Sequence, residues 1–193
     1  MKIITAPHEG LRTKAKSVKR IDKKLYKFIT QLQATLKGKD KPAGVGLAAP
    51  QVNKAWRIFT TNISPEGSRD ISRVNIKVFI NPIMTKHDKK LSFGPDEKHP
   101  TLEGCLSIKS IYGPVPRYAW VKFEWQELEN EKLVNKKGHF EHFAARVMQH
   151  ELDHLNGILF TDYSLDYDLP IYQESDDGKK LVEVKNKSVL EMF

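Results

Sequence analysis

The stretch that most constrains this 193-residue chain lies at 139–155. Phe143, Ala144, Val147, Met148, Leu152 and Leu155 recur at three- and four-residue spacing, which predicts a helix with one buried face. Asn156-Gly157 supplies a stop just after it. The same helix carries Gln149-His150-Glu151-Leu152-Asp153-His154. Two histidines four apart share a helix face one turn apart, so their ring nitrogens can converge on a single cation. A glutamate beside the first histidine is placed to move protons at a water held there. Asp153, one residue from His154, points to another face and reads as a hydrogen-bonding or solvated residue and not as a ligand.

Two histidines and a base leave a third ligand to be found. The chain's only cysteine, Cys105, stands in Glu103-Gly104-Cys105-Leu106-Ser107. Taken alone, a cysteine is more often a small buried hydrophobe. Here Gly104 permits close backbone approach, and Glu103 can orient a ligand by hydrogen bonding to it. A Cys/His/His set leaves one coordination position open, as catalytic sites do. Thiolate and imidazole donors accept iron(II), zinc, nickel or cobalt, so the donor set leaves the ion open. A third segment, Gly44-Val45-Gly46-Leu47-Ala48-Ala49-Pro50-Gln51, strings small residues together before Gln51. On its own it is an ordinary glycine-rich turn, but the Gln51 amide is a neutral donor able to meet a developing oxyanion.

These three segments, in this order, resemble the signature motifs of the peptide deformylase family. The flanks are similar too: Pro7, Leu11-Arg12, Asn81-Pro82, Val115-Pro116-Arg117 and Leu155-Asn156-Gly157-Ile158-Leu159-Phe160. The resemblance covers about residues 1–163 and leaves 164–193 as a C-terminal extension of unassigned structure within one domain spanning 1–193. It implies a metal-dependent hydrolase that removes the formyl group from the N-terminal formylmethionine of new polypeptides and releases formate. It also implies one divalent metal ion, iron(II) in cells and often zinc, nickel or cobalt in preparations, held by Cys105, His150 and His154. Hydroxide at the metal would attack the formyl carbon, with Glu151 as general base and then acid, and Gln51 and the Leu106 amide as oxyanion donors. Val45, Gly46 and Gly104 would hold the substrate main chain. Val147, with Arg146 or Phe143, would line the methionine slot, the Arg146 stem packing while its head reaches solvent.

The remaining features are less specific. A helix over 22–37 follows from Leu25, Phe28, Ile29, Leu32 and Leu36, with Asp22 in the first turn and Gly38 beyond the end. Residues 56–60 and 78–82 read as strands, 39–44 and 93–100 as loops, and 62–75 as an insertion or loop. A polar strand is expected over 85–91. Residues 118–129, with Ala119, Val121, Phe123 and Trp125 on one side, predict a half-buried strand, and 127–135 a strand lacking a turn glycine before the site helix. The tail 171–193 fits strand or helix equally. His8, His87, His99, His139 and His142 read as solvated or capping residues. The expected class is α+β, with mixed or antiparallel sheets around a central helix carrying the metal motif.

A net charge of +8 implies attraction to polyanions and supports transient association with the ribosome, but no interleaved aromatic pattern predicts sequence-specific nucleic acid binding. No apolar run of membrane-spanning length is present, so no membrane role is expected. The start lacks a leader pattern and the lone cysteine suits a reducing compartment, which together predict a cytoplasmic location, or an organelle had a leader been trimmed. Two rival readings are a metallopeptidase with a third histidine or glutamate ligand, and a catalytically silent basic module that binds ribosomes.

Overall fold

The computed structural model describes residues 1–39, 44–63, 75–186 and 190. Its first helix, α1, spans Lys23–Lys37, and the Asp22 side chain accepts from the Leu25 N–H at 2.8 Å as the cap. Then come β1 (Gly46–Ala48), β2 (Ile58–Asn62) and β3 (Ile76–His87). Next are β4 (Leu91–Ser92), β5 (Leu102–Cys105), β6 (Ile108–Pro114), β7 (Arg117–Tyr118), β8 (Trp120–Glu129) and β9 (Lys132–Glu141). Helices α2 (His142–Asn156) and α3 (Phe160–Asp166) precede a final hairpin of β10 (Tyr172–Glu174) and β11 (Leu181–Glu183).

All strand ladders are antiparallel. One sheet has the order β1-β2-β3-β8-β9, a second β11-β10-β6-β5, and β4 pairs with β7 alone. Adjacent residues of the first sheet turn to opposite faces, and the core divides accordingly. Phe59, Phe79, Val121 and Phe123 pack with Ala145, Met148, Leu152 and Leu155 of α2. Ile58 and Ile80 pack with Leu25, Leu32 and Leu36 of α1. The sheet thus lies between the two helices. The second sheet closes over Leu159 and Phe160 through Ile108, Ile111 and Val115. This is the α+β arrangement expected, with α2 at its centre.

Several boundaries differ from the sequence expectations. Residues 139–141 finish β9 and are not helical, because Glu141 pairs with Trp120 and Phe140 with Val121. Residues 127–135 are a hairpin and not one strand: Asn130 and Glu131 both take left-handed backbone, so the turn forms without glycine. The expected strands at 78–82 and 85–91 are largely one. β3 runs through Pro82 by register shifts against β8 and stops at His87, and Leu91 belongs to the short β4. Trp56 makes only an isolated bridge to Lys16, before β2 begins. Ala119 is exposed in the bend before β8.

In the tail, 172–174 and 181–183 form strands and β10 adds to β6, while 187–189 and 191–193 lie outside the described residues. His8 caps the turn Glu9–Arg12, His87 stacks on Tyr118 at 3.9 Å, His99 contacts Asp96 and His139 meets Trp120 edge-on. Of the loops expected at 39–44 and 62–75, residues 40–43 and 64–74 lie outside the described residues.

Candidate metal centre

Helix α2 ends where Gly157 takes a positive φ of 75°, with Ile158 N–H donating to Asp153 O at 3.0 Å and Gly157 N–H to His154 O at 3.3 Å. A Cβ at Gly157 would strike the backbone of Arg12, so the stop is enforced by close packing. Upstream of that stop, His150 and His154 present their rings with centroids 4.9 Å apart. Cys105 comes from the other side. It is the last residue of β5, where the register shifts between Gly104 and Cys105, and that irregularity turns the thiol toward the helix. Cys105 Sγ lies 3.2 Å from His154 Nε2, and one donor atom from each of Cys105, His150 and His154 falls within 4.8 Å of the others.

The surroundings suit a cation. Glu103 Oε2 lies 3.1 Å from His150 Nδ1, which leaves Nε2 of that ring for the centre. Burial acts to raise the Glu103 carboxyl, but the charge of Arg117 and the contact with His150 outweigh it and hold it well below the usual carboxylate range. Burial and the neighbouring His150 keep His154 well below the ordinary histidine range, so its neutral, coordinating form dominates. For His150, burial is outweighed by Cys105 and Glu103, which favour positive charge at this spot. Glu151, 3% exposed, is pushed up to about 7, chiefly by burial, and its Oε2 has no hydrogen-bond partner among the described residues. Three soft-to-borderline donors and an unpartnered buried carboxylate fit a divalent ion with an open position.

Gln51 is clamped through its carbonyl, which accepts from Ala48 N–H at 2.8 Å. Its amide nitrogen donates to Cys105 Sγ at 3.4 Å and Ser107 Oγ at 3.2 Å, so the N–H faces the centre. All the remaining candidates border one cleft of about 910 Å³: Val45, Gly46, Gly104, Leu106, Val147 and Arg146, with Phe143 beside them. Gly46 has to be glycine, since a Cβ there would collide with the Glu151 carboxylate.

Arg146 differs from expectation in one respect. Its head is turned inward, ion-paired to Glu103 at 3.0 Å and donating to Val115 O at 2.7 Å, and does not reach solvent.

Residues 1–168 match the family described as polypeptide deformylase. The chain belongs to the polypeptide deformylase family. The peptide deformylase of Wolinella succinogenes is 34% identical over 161 residues, which is 83% of this chain and 85% of the relative. That of Helicobacter hepaticus is 31% identical over 96% of this chain and 92% of its own length. Among solved structures, the peptide deformylase of Thermotoga maritima superposes with a TM-score of 0.68 at 31% identity, covering 84% of this chain and 95% of that one.

One participant was not singled out by sequence reasoning. Arg117, 2% exposed, bonds Glu103 at 2.9 and 3.1 Å and also pairs with Asp153, whose Oδ2 accepts from Tyr163 at 3.2 Å. Its one signal was membership of the Val115-Pro116-Arg117 flank.

Proposed function

We propose that this protein removes the formyl group from the N-terminal formylmethionine of newly made polypeptides, releasing formate and a free amino terminus. The observation that carries this reading is the convergence of Cys105, His150 and His154 beside Glu151 and Gln51 in one open cleft. Cys105, His150 and His154 would hold one divalent ion, iron(II) by family likeness, with zinc, nickel and cobalt compatible with the same donors. When bound, that ion supplies Lewis acidity toward the formyl oxygen and makes a neighbouring water more acidic.

The protein's own groups do the rest. Glu151 takes a proton from the attacking water as the new C–O bond forms, and its raised affinity for protons suits both acceptance and return. The Gln51 amide and the Leu106 N–H stabilise the oxygen that gains charge. The carbon–nitrogen bond then breaks, Glu151 delivers its proton to the departing amine, and formate leaves. β1 and β5 are edge strands of their two sheets and both border the cleft. The main chain at Gly46 and Gly104 on these edges, with Val45 beside β1, suits an extended peptide laid between them. Val147, Phe143 and the stem of Arg146 form the wall for the methionine side chain.

Within this reading residues 1–193 act as one domain and meet their substrate as it leaves the ribosome, in the cytoplasm or an organelle. Among the described residues no helix is long and apolar enough to cross a membrane.

The test is formate release from a formyl-Met tripeptide by metal-loaded protein, with Glu151→Ala alongside. We expect the variant to keep its metal and lose turnover by about 10²–10⁴-fold. A fully active, correctly folded variant would remove Glu151 from the role given to it.

A further inference from the structure

Beyond residue 168, outside the stretch that matches the family, β10 brings Glu174 to the cleft. β10 pairs with β6 through Tyr172 opposite Tyr112, and β6 pairs with β5 through Tyr112 opposite Gly104. Gly104, Tyr112 and Tyr172 therefore form one row across the sheet. Glu174, two residues past Tyr172, shares its face and lies toward the Cys105 end of the sheet. Its side chain borders the same cleft as Gly46, Cys105 and Glu151, next to Tyr112. The Tyr112 phenol is pushed up by burial and then by the charge of Glu174, which marks how near the two groups stand.

Among the described residues three carboxylates border this cleft: Glu103, Glu151 and Glu174. Glu103 is engaged by Arg117, Arg146 and His150, and Glu151 sits at the reacting centre. Glu174 has no ion-pair partner among the described residues. Among the described residues the other charges on the cleft's outer walls are the Met1 amino terminus, Lys2, Lys39 and Lys109, and Glu174 also borders Lys179 and Lys180 on its hairpin side. Glu174 is thus an uncommitted negative charge in a basic mouth. It stands two strand spacings from the edge that carries Gly104, on the order of 10 Å. A peptide that leaves the β5 edge and turns toward β10 covers that distance in about three residues, and a long cationic side chain adds reach.

We propose that Glu174 is a specificity-determining residue, favouring substrates with lysine or arginine at the third or fourth position, counting formylmethionine as the first. This rests on the functional reading above.

The test is a set of formylmethionyl peptides, alanine elsewhere, carrying lysine or glutamate at the second, third or fourth position. kcat/KM is measured by formate release for the metal-loaded full chain, Glu174→Gln and Glu174→Lys. The expected wild-type preference for lysine over glutamate is about two- to five-fold at the third or fourth position, the range of an exposed ion pair. It should shrink with added salt, fall toward one in Glu174→Gln and reverse in Glu174→Lys. An unchanged lysine-to-glutamate ratio in an active Glu174→Gln protein overturns the proposal alone. Absence of formate from every peptide overturns the functional reading, and this proposal with it.

Discussion

At the scale of single residues, the site depends on what is missing as much as on what is present. Gly46 lies against the Glu151 carboxylate with no room for a methyl group. The backbone there is ordinary β-strand, so Gly46→Ala does not strain the chain itself. It must instead displace Glu151. We expect the variant to fold with a loss of about 1–3 kcal/mol, the usual cost of overpacking. Turnover should fall by far more than that stability loss accounts for. Thermal melting and formate release measured on the same sample separate the two effects, and unchanged turnover would show that Glu151 can move without consequence.

The residues that converge at the candidate metal centre, Cys105, His150 and His154, and Gln51 beside them were legible in the sequence because each lies in a short local pattern: a helical i, i+4 pair, a glycine-flanked cysteine, and a run of small residues. Arg117 and Glu174 were not. Nothing near Arg117 in sequence says that its guanidinium will meet Glu103 and Asp153, and Glu174 reaches the cleft only through the pairing of β10 with β6.

At the scale of elements, Arg117 joins four of them. It stands on β7, holds Glu103 of β5 and Asp153 of α2, and lies over the Tyr163 ring of α3 at 5.0 Å. Removing the cation leaves the half-buried Asp153 with only the Tyr163 hydroxyl and takes from Glu103 one of its three cationic neighbours. Arg117→Met should cost about 3–5 kcal/mol, read as a lowered midpoint in urea. An unshifted midpoint would mean that the carboxylates find other partners. The same scale explains the boundary errors. α1 was legible because its cap and stop, Asp22 and Gly38, are local. The start of α2 was not, because residues 139–141 take their structure from β8 across the sheet. The strands read separately at 78–82 and 85–91 join because Asn81 takes a positive φ of 53° and bonds Val18 through its side chain at 2.7 and 2.9 Å. The turn at Asn130-Glu131 was missed because neither residue is glycine.

At the scale of the whole molecule, a net charge of +8 should draw the protein to ribosomes without reading any base sequence. Co-sedimentation with ribosomes at low ionic strength should fade as salt shortens the screening distance below about 8 Å. Association that persists in high salt would point to a shaped interface and not to general charge. The described ends of the 62–75 segment are also secured, since Asn75 bonds Asn62 and Ile63 at 2.9 and 3.0 Å. The neighbouring strands β2 and β3 on either side of that segment are thereby kept in register.

The Arg117 cluster bears on a different question, that of which ion the protein carries in a cell. Its guanidinium, the two carboxylates and the Tyr163 hydroxyl hold Glu103, and through it His150, by protein contacts alone. A scaffold braced in this way should keep its fold when the metal is removed by a chelator, read as an unchanged circular dichroism spectrum. It gains little folding energy from loading, unlike small domains that collapse around zinc. One ion can then replace another without the chain unravelling.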